Sequence, residues 1–300
     1  MSTGPAGHTA PSMNRPHTET ARRGPSRTFL RTADDVAIDA SYDPGCLVYD
    51  VCGSTGSNGS HGSNGFNGSH GSADREDLAI VIAHGFTGDL DKPQVRRVAG
   101  DLARFGAVIT FSFRGHGASG GRSTVGDREV YDLAAAVRWA RELGHRRVAT
   151  VGFSMGGSVV LRHAARPPRG AHTDAAVAVS APARWYYRGT APMRRLHWLV
   201  TRPEGRLLSR YGLRTRIHHR DWDPVPASPV ESVPLIAPTP LLIVHGDQDA
   251  YFPLDHPRML ADAAPGHAEL WLEPGMGHAE NASDDELLAR IGEWVAARAG

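Results

Sequence analysis

The chain reads as an α/β protein: a mostly parallel central sheet with helices on both faces and a helical cap inserted late in the chain. Three observations carry this. Short apolar runs bounded by turn residues recur at 78–83, 107–113, 147–153, 174–180, 239–244 and 268–272. Amphipathic stretches with helical spacing lie at about 94–105, 127–143, 155–165, 254–263 and 284–297. The apolar runs are continuous rather than alternating, which marks strands buried on both faces, as in parallel sheets. Right-handed crossovers then bring the strands' carboxyl ends to one edge, where sites gather.

Ahead of this alternation, 27–42 reads as two short strands joined at Ala33-Asp34-Asp35. Residues 1–26 are polar and rich in Pro and Gly, the composition of a disordered tail. Residues 53–72 are built almost wholly from Gly, Ser, Asn and His, and read as a flexible surface loop within a single domain spanning 27–300. His61 and His70 in that loop are taken as solvated rather than as metal ligands. The alternation breaks at 183–235, which holds Trp185, Tyr186, Tyr187, Trp198, Tyr211 and Trp222, with ten arginines against four acids. This stretch begins where a strand delivers the chain above the sheet's carboxyl edge, so it is expected to cap a site.

Composition narrows the function classes. With 33 basic and 32 acidic residues the formal net charge is +1, so no global field draws the chain to nucleic acid or to an anionic membrane. The two cysteines, Cys46 and Cys52, are too few for a disulfide framework and fit no zinc pattern. The first residues contain no apolar h-region, and no stretch has the length of a membrane span. A soluble cytoplasmic protein without metal or organic cofactor is the expectation, its oligomeric state open.

The chemistry centres on Gly152-Phe153-Ser154-Met155-Gly156-Gly157. This G-x-S-x-G stands between an apolar strand and a helical pattern, where a serine sits on a sharp turn that tolerates only small neighbours. The helix behind it aims its amides at the place where negative charge develops. A serine hydroxyl needs a base. Among 16 histidines, His278 lies in a Gly-rich loop between the last apolar run and the final helix. His84, His116 and His245 also sit near strand ends beside glycines, but they adjoin other features of the site. A carboxylate must orient that histidine, and the order Ser, acid, His places it in 246–249. Asp249 is the choice and Asp247 the competitor, the latter following Gly246 directly in an Asx-turn position. For the oxyanion, the amides of Met155 and Phe86 are the natural donors, with Gly85 letting the 84–88 loop pass close.

Five motifs stand in order: H-G-F-T-G (84–88), F-R-G-H-G-A-S-G-G (113–121), G-F-S-M-G-G (152–157), H-G-D-Q-D-A-Y-F-P (245–253) and G-M-G-H (275–278). In these the chain resembles the α/β-hydrolase superfamily, particularly small bacterial carboxylesterases, serine-aminopeptidase-like members and esterases of the cinnamoyl or feruloyl kind. The resemblance implies a serine hydrolase that cleaves carboxylic esters through an acyl-enzyme on Ser154. It also implies Asp249 as the acid, since the second aspartate of H-G-D-x-D usually fills that role. Two rivals remain: an acyltransferase or thioesterase with the same triad, and a non-catalytic ligand-binding member of the fold. The cap has no counterpart among these motifs.

Overall fold

The computed structural model describes residue 1 and residues 26–45 and 77–300. The expected tail, the low-complexity loop at 53–72 and both cysteines lie outside the described residues. Eight strands form one sheet in the order β1-β2-β4-β3-β5-β6-β7-β8. They are β1 (Ser26–Arg31), β2 (Ala37–Asp43), β3 (Leu78–Ala83), β4 (Ala107–Phe111), β5 (Arg147–Phe153), β6 (Ala175–Val179), β7 (Leu241–Gly246) and β8 (Ala268–Glu273). β1 pairs antiparallel with β2, β2 antiparallel with β4, and every later pairing is parallel. A mostly parallel sheet with covered faces is the architecture that the apolar runs predicted.

The covering follows from strand parity. In β3, Ala79, Val81 and Ala83 enter one core, while Leu78, Ile80 and Ile82 enter the other. The first core is closed by α2 (Glu129–Glu142), α3 (Met155–Ala165) and α7 (Asp255–Asp262), through residues such as Leu133, Val137, Val160 and Leu260. The second is closed by α1 (Pro93–Leu102) and α8 (Asp285–Arg298), through Val98, Leu102, Leu288 and Ile291. Pro93 opens α1 at a position where its missing N–H has no role. Asp284 caps α8 by accepting the Leu287 N–H at 2.8 Å.

β7 differs from its expected 239–244 span by two residues. Pro240 has no N–H to donate, though its carbonyl still accepts from the Ala176 N–H at 2.9 Å, so the strand starts at Leu241 and runs on through His245 and Gly246. Between β6 and β7 the chain forms α4 (Ala191–Thr201), α5 (Pro203–Gly212) and the short α6 (Pro229–Ser232). This insertion is anchored by strand-like bridges of Thr215 to His116 and of Ile217 to Ser123.

Arg114, in the F-R-G-H-G motif, joins three elements that are distant in sequence. Its guanidinium meets Asp132 of α2 at 2.7 Å and Asp34 of the β1–β2 turn at 2.7 Å, with both Arg114 and Asp132 buried. The Arg114 N–H also donates to Asp132 at 2.8 Å. Burial pushes the Asp132 carboxyl up, and the contacts with Arg114 pull it back. Removing one partner leaves an uncompensated buried charge. Arg114→Met is therefore expected to lower stability by about 3–5 kcal/mol, read as a shift in the urea midpoint with an unchanged slope.

Candidate active site

The carboxyl ends of β3, β5, β7 and β8 deliver the loops that build one pocket. β5 ends at Phe153, and Ser154 takes φ 51° and ψ −113° before α3 begins. A non-glycine residue there holds strain of about 1–3 kcal/mol, which the surroundings must over-determine. They do so by backbone contact. A Cβ on Gly152 would stand 2.3 Å from the Gly156 carbonyl oxygen, and one on Gly156 would stand 2.1 Å from the Ala83 carbonyl oxygen. Both glycines are therefore required by close approach, and that approach sets α3 against the end of β3. The Ser154 N–H is held by the Val179 carbonyl at 2.8 Å.

His278 follows β8. Its Nε2 accepts from the Ser154 hydroxyl at 2.9 Å, and its Nδ1–H donates to Asp249 Oδ2 at 2.7 Å. The tautomer is assigned from these partners. Tyr251 stacks on the imidazole at 4.2 Å between centroids, and Phe252 lies 5.7 Å away. The Asp249 side chain is fully buried, and its other oxygen accepts the Tyr251 N–H at 2.7 Å and the Phe252 N–H at 3.1 Å. Burial alone would raise this carboxyl. The His278 bond, its charge and the two amides outweigh that and hold it below the usual carboxylate range.

Asp247 points elsewhere, accepting the Gly275 N–H at 2.7 Å and so shaping the loop that carries His278. The structure brings Asp249, the sequence's choice, to the histidine, and not its competitor Asp247. The three other strand-end histidines are internal struts. His84 is fully buried, its Nδ1–H on the Gly85 carbonyl at 2.7 Å and its Nε2 accepting the Phe113 N–H at 3.0 Å. Burial, helped by nearby His116, pulls it down to about 3. His116 and His245 are also lowered, chiefly by burial, and His245 donates to the Phe252 carbonyl at 2.8 Å.

The 84–88 loop reaches the same spot. A Cβ on Gly85 would stand 3.5 Å from the Ser154 Cβ. Phe86 and Met155 both line the pocket with Ser154, and their backbone N–H groups meet no protein acceptor among the described residues. One residue that sequence reasoning missed is Glu280, buried beside the loop, whose carboxylate accepts the Gly85 N–H at 3.1 Å. Its only signal was proximity: it lies two residues beyond His278. Another is Ser180, whose hydroxyl accepts the Ala279 N–H at 3.0 Å and so fixes the backbone next to the histidine.

The pocket is a cavity of about 920 Å³. Its floor is the serine and histidine, and its roof comes from α4 and the aromatic residues around it, including Trp185, Tyr187 and Trp222. Trp222 donates to the Thr124 carbonyl at 2.7 Å and packs on Trp185 at 5.1 Å, which ties the roof to the loop after β4. Among the described residues no cluster of His, Cys, Asp and Glu is arranged to hold a metal ion. No helix among them is long and apolar enough to cross a membrane.

Residues 80–291 match the sequence model of the alpha/beta hydrolase family. The chain belongs to that family. A stretch of 107 residues is 32% identical to the protein named "Putative esterase YheT" of Escherichia coli, covering 34% of this chain and 32% of that protein. The match thus spans about a third of that relative's length. Among solved structures the hydrolase resembles the Pyrococcus furiosus esterase Pf2001, with a TM-score of 0.65 and 21% identity over 92% of this chain and 93% of that one. It also resembles the α/β hydrolase GrgF from Penicillium, with a TM-score of 0.64 and 17% identity over 92% and 99%. A third is XC6422 of Xanthomonas campestris, described as a serine hydrolase without a lid, at 0.53 and 17% over 91% and 92%. At these identities the likeness speaks to the fold.

The contact between glycine backbones is testable. Gly156→Ala is expected to destabilise the hydrolase by about 1–3 kcal/mol and to displace Ser154. Gly100→Ala, in α1 with open space around it, should instead be neutral or stabilise by about 0.5–1 kcal/mol. Paired denaturant titrations distinguish them.

Proposed function

We propose that this hydrolase is a serine carboxylesterase, with Ser154 as nucleophile, His278 as general base and Asp249 orienting the imidazole. The observation that carries the reading is the relay of hydrogen bonds from Ser154 through His278 to Asp249, at 2.9 and 2.7 Å. The substrate carbonyl oxygen lies between the Phe86 and Met155 amides. Ser154 Oγ attacks the carbonyl carbon while its proton passes to His278 Nε2. The resulting imidazolium is stabilised by the Asp249 carboxylate, and the oxyanion by the two amides. Collapse of this intermediate breaks the bond to the alcohol oxygen, which takes the proton from His278. The acyl-enzyme is then hydrolysed by a water that His278 deprotonates, releasing the acid and restoring Ser154.

Two features of the arrangement support ester hydrolysis at neutral pH. Asp249 is held ionised by groups that do not depend on substrate, so the histidine keeps Nδ1–H toward it and Nε2 free for the serine proton. The helix α3 begins at Met155, so its positive end faces the developing oxyanion. The aromatic roof favours an apolar or aromatic acyl or alcohol part.

A fluorophosphonate probe is expected to label the wild-type chain once, on Ser154, and to leave folded Ser154→Ala unlabelled. A folded wild-type chain that resists the probe would point to a non-catalytic binding member of the fold. Asp249→Asn is expected to lower kcat on an aryl ester by about 10⁴-fold. Asp247→Asn should leave kcat within a few-fold and act mainly on stability. The reverse ranking would move the acid to Asp247.

A further inference from the structure

The segment 184–220 carries ten arginines and a single acid, Glu204. Only Arg184 among them meets a carboxylate within the described residues, Asp255 at 2.6 Å. Arg194, Arg206 and Arg216 donate to backbone carbonyls, which leaves their charge uncompensated. A net charge of +1 for the whole chain conceals this local excess.

Helix α5 is turned inside out. Its buried positions are Gly205 and Ser209, one turn apart, packed on α4 so closely that a Cβ on Gly205 would stand 2.4 Å from the Trp198 carbonyl oxygen. Its apolar stripe faces away from the protein: Leu207, Leu208 and Tyr211 are 57%, 54% and 73% exposed. Trp198 and Leu213 extend the patch, and a shallow groove lined by Trp198, Leu199 and Leu208 joins it to α4. A helix meant for water has the opposite arrangement. Arg202, Arg206, Arg210 and Arg214 recur every four residues along α5 and its ends, three of them exposed, with the Arg210 guanidinium 5.4 Å from the Tyr211 ring centre.

We propose that the α4–α5 face docks on an anionic lipid bilayer, with Leu207, Leu208, Tyr211 and Trp198 entering the headgroup region and the arginines meeting lipid phosphates. Exposed leucines and aromatics bordered by arginine are the composition of helices that lie in a membrane interface. The charge decides against the alternatives. A second copy packed through the same patch would place two arginine clusters against each other across a two-fold axis. A nucleic acid backbone would satisfy the arginines and leave the Leu207–Leu208 pair in water. On its other side α4 lines the cavity above Ser154, through Met193, Leu196 and Val200. A docked cap therefore leaves one helix between the bilayer and the pocket.

The test uses the full chain carrying Ser154→Ala, so that hydrolysis of lipid cannot disturb the reading, with wild type in parallel. Flotation with phosphatidylcholine vesicles is compared with flotation on vesicles that also contain phosphatidylglycerol. The expected result is recovery only with phosphatidylglycerol, decreasing as salt is raised. Leu207→Glu with Leu208→Glu is expected to reduce the bound fraction at least about tenfold. The same double variant should hydrolyse a soluble short-chain aryl ester at the wild-type rate, because neither leucine lines the cavity. That readout also confirms that the variant is folded. Arg206→Gln with Arg210→Gln and Arg214→Gln should flatten the salt dependence. Three outcomes overturn the proposal: no recovery at low salt, equal recovery with and without phosphatidylglycerol, or binding that survives the leucine substitutions. Light scattering that finds a dimer dissolved by Leu207→Glu with Leu208→Glu would assign the face to a second copy instead. Binding by Ser154→Ala separates this question from the serine chemistry, since either result can fail alone.

Discussion

The pocket depends on backbone meeting backbone at the end of β5. Gly152 and Gly156 bring the strand, the elbow and the first turn of α3 to within distances that no side chain permits, and Gly156 does so against the carbonyl of Ala83 at the end of β3. That single approach has two consequences. It holds Ser154 at a positive φ, where its hydroxyl stands clear of the sheet. It also brings the 84–88 loop over the serine, so the amide of Phe86 and the amide of Met155 share one neighbourhood with the hydroxyl. Loop conformation, serine placement and electrostatic environment are therefore one structural decision rather than three.

The titratable groups around the site divide by how far their hydrogen-bond partners offset burial. Asp249, His84 and His245 are all buried, yet burial has opposite results. For the histidines it wins: His84 meets only a neutral carbonyl and an amide, and at His245 burial outweighs the Phe252 carbonyl and the Asp249 carboxylate 3.6 Å away. For Asp249 it loses, because the histidine and two amides all favour the carboxylate. A buried carboxylate surrounded by donors is a fixed charge, and it is this fixed charge that the proposed mechanism sets beside His278. The neutral histidines serve differently: His84 spans the Gly85 carbonyl and the Phe113 amide, fastening the 84–88 loop to the chain after β4.

Much of this was legible in the sequence, for physical reasons. Strands buried on both faces must be continuously apolar, so β3 and β5 were readable to the residue. The elbow was readable because its glycines answer a steric demand that leaves no alternative. The preference for Asp249 over Asp247 rested on the turn position after Gly246 and on the family resemblance, since both follow the same strand and only the path of the 246–252 turn decides which side chain returns to the histidine. Glu280 was beyond reach for a related reason: its partner, Gly85, is far away in sequence, and nothing local records the contact. The start of β7 was misplaced because apolar character extends across Pro240, while hydrogen bonding does not.

The cap marks where pattern reading reverses. Periodicity identifies an amphipathic helix, and the usual inference sends its apolar stripe inward, as α1 and α8 do. In α5 the inward positions are small: Gly205 and Ser209 let it approach α4 closely. The leucines and tyrosine then have no interior left to enter. Had the arginines been interspersed with acids, the stripe would be an ordinary exposed surface. Their near-complete lack of carboxylate partners makes the patch both apolar and strongly positive, a combination that water alone does not favour and that a surface of opposite charge with an apolar interior does.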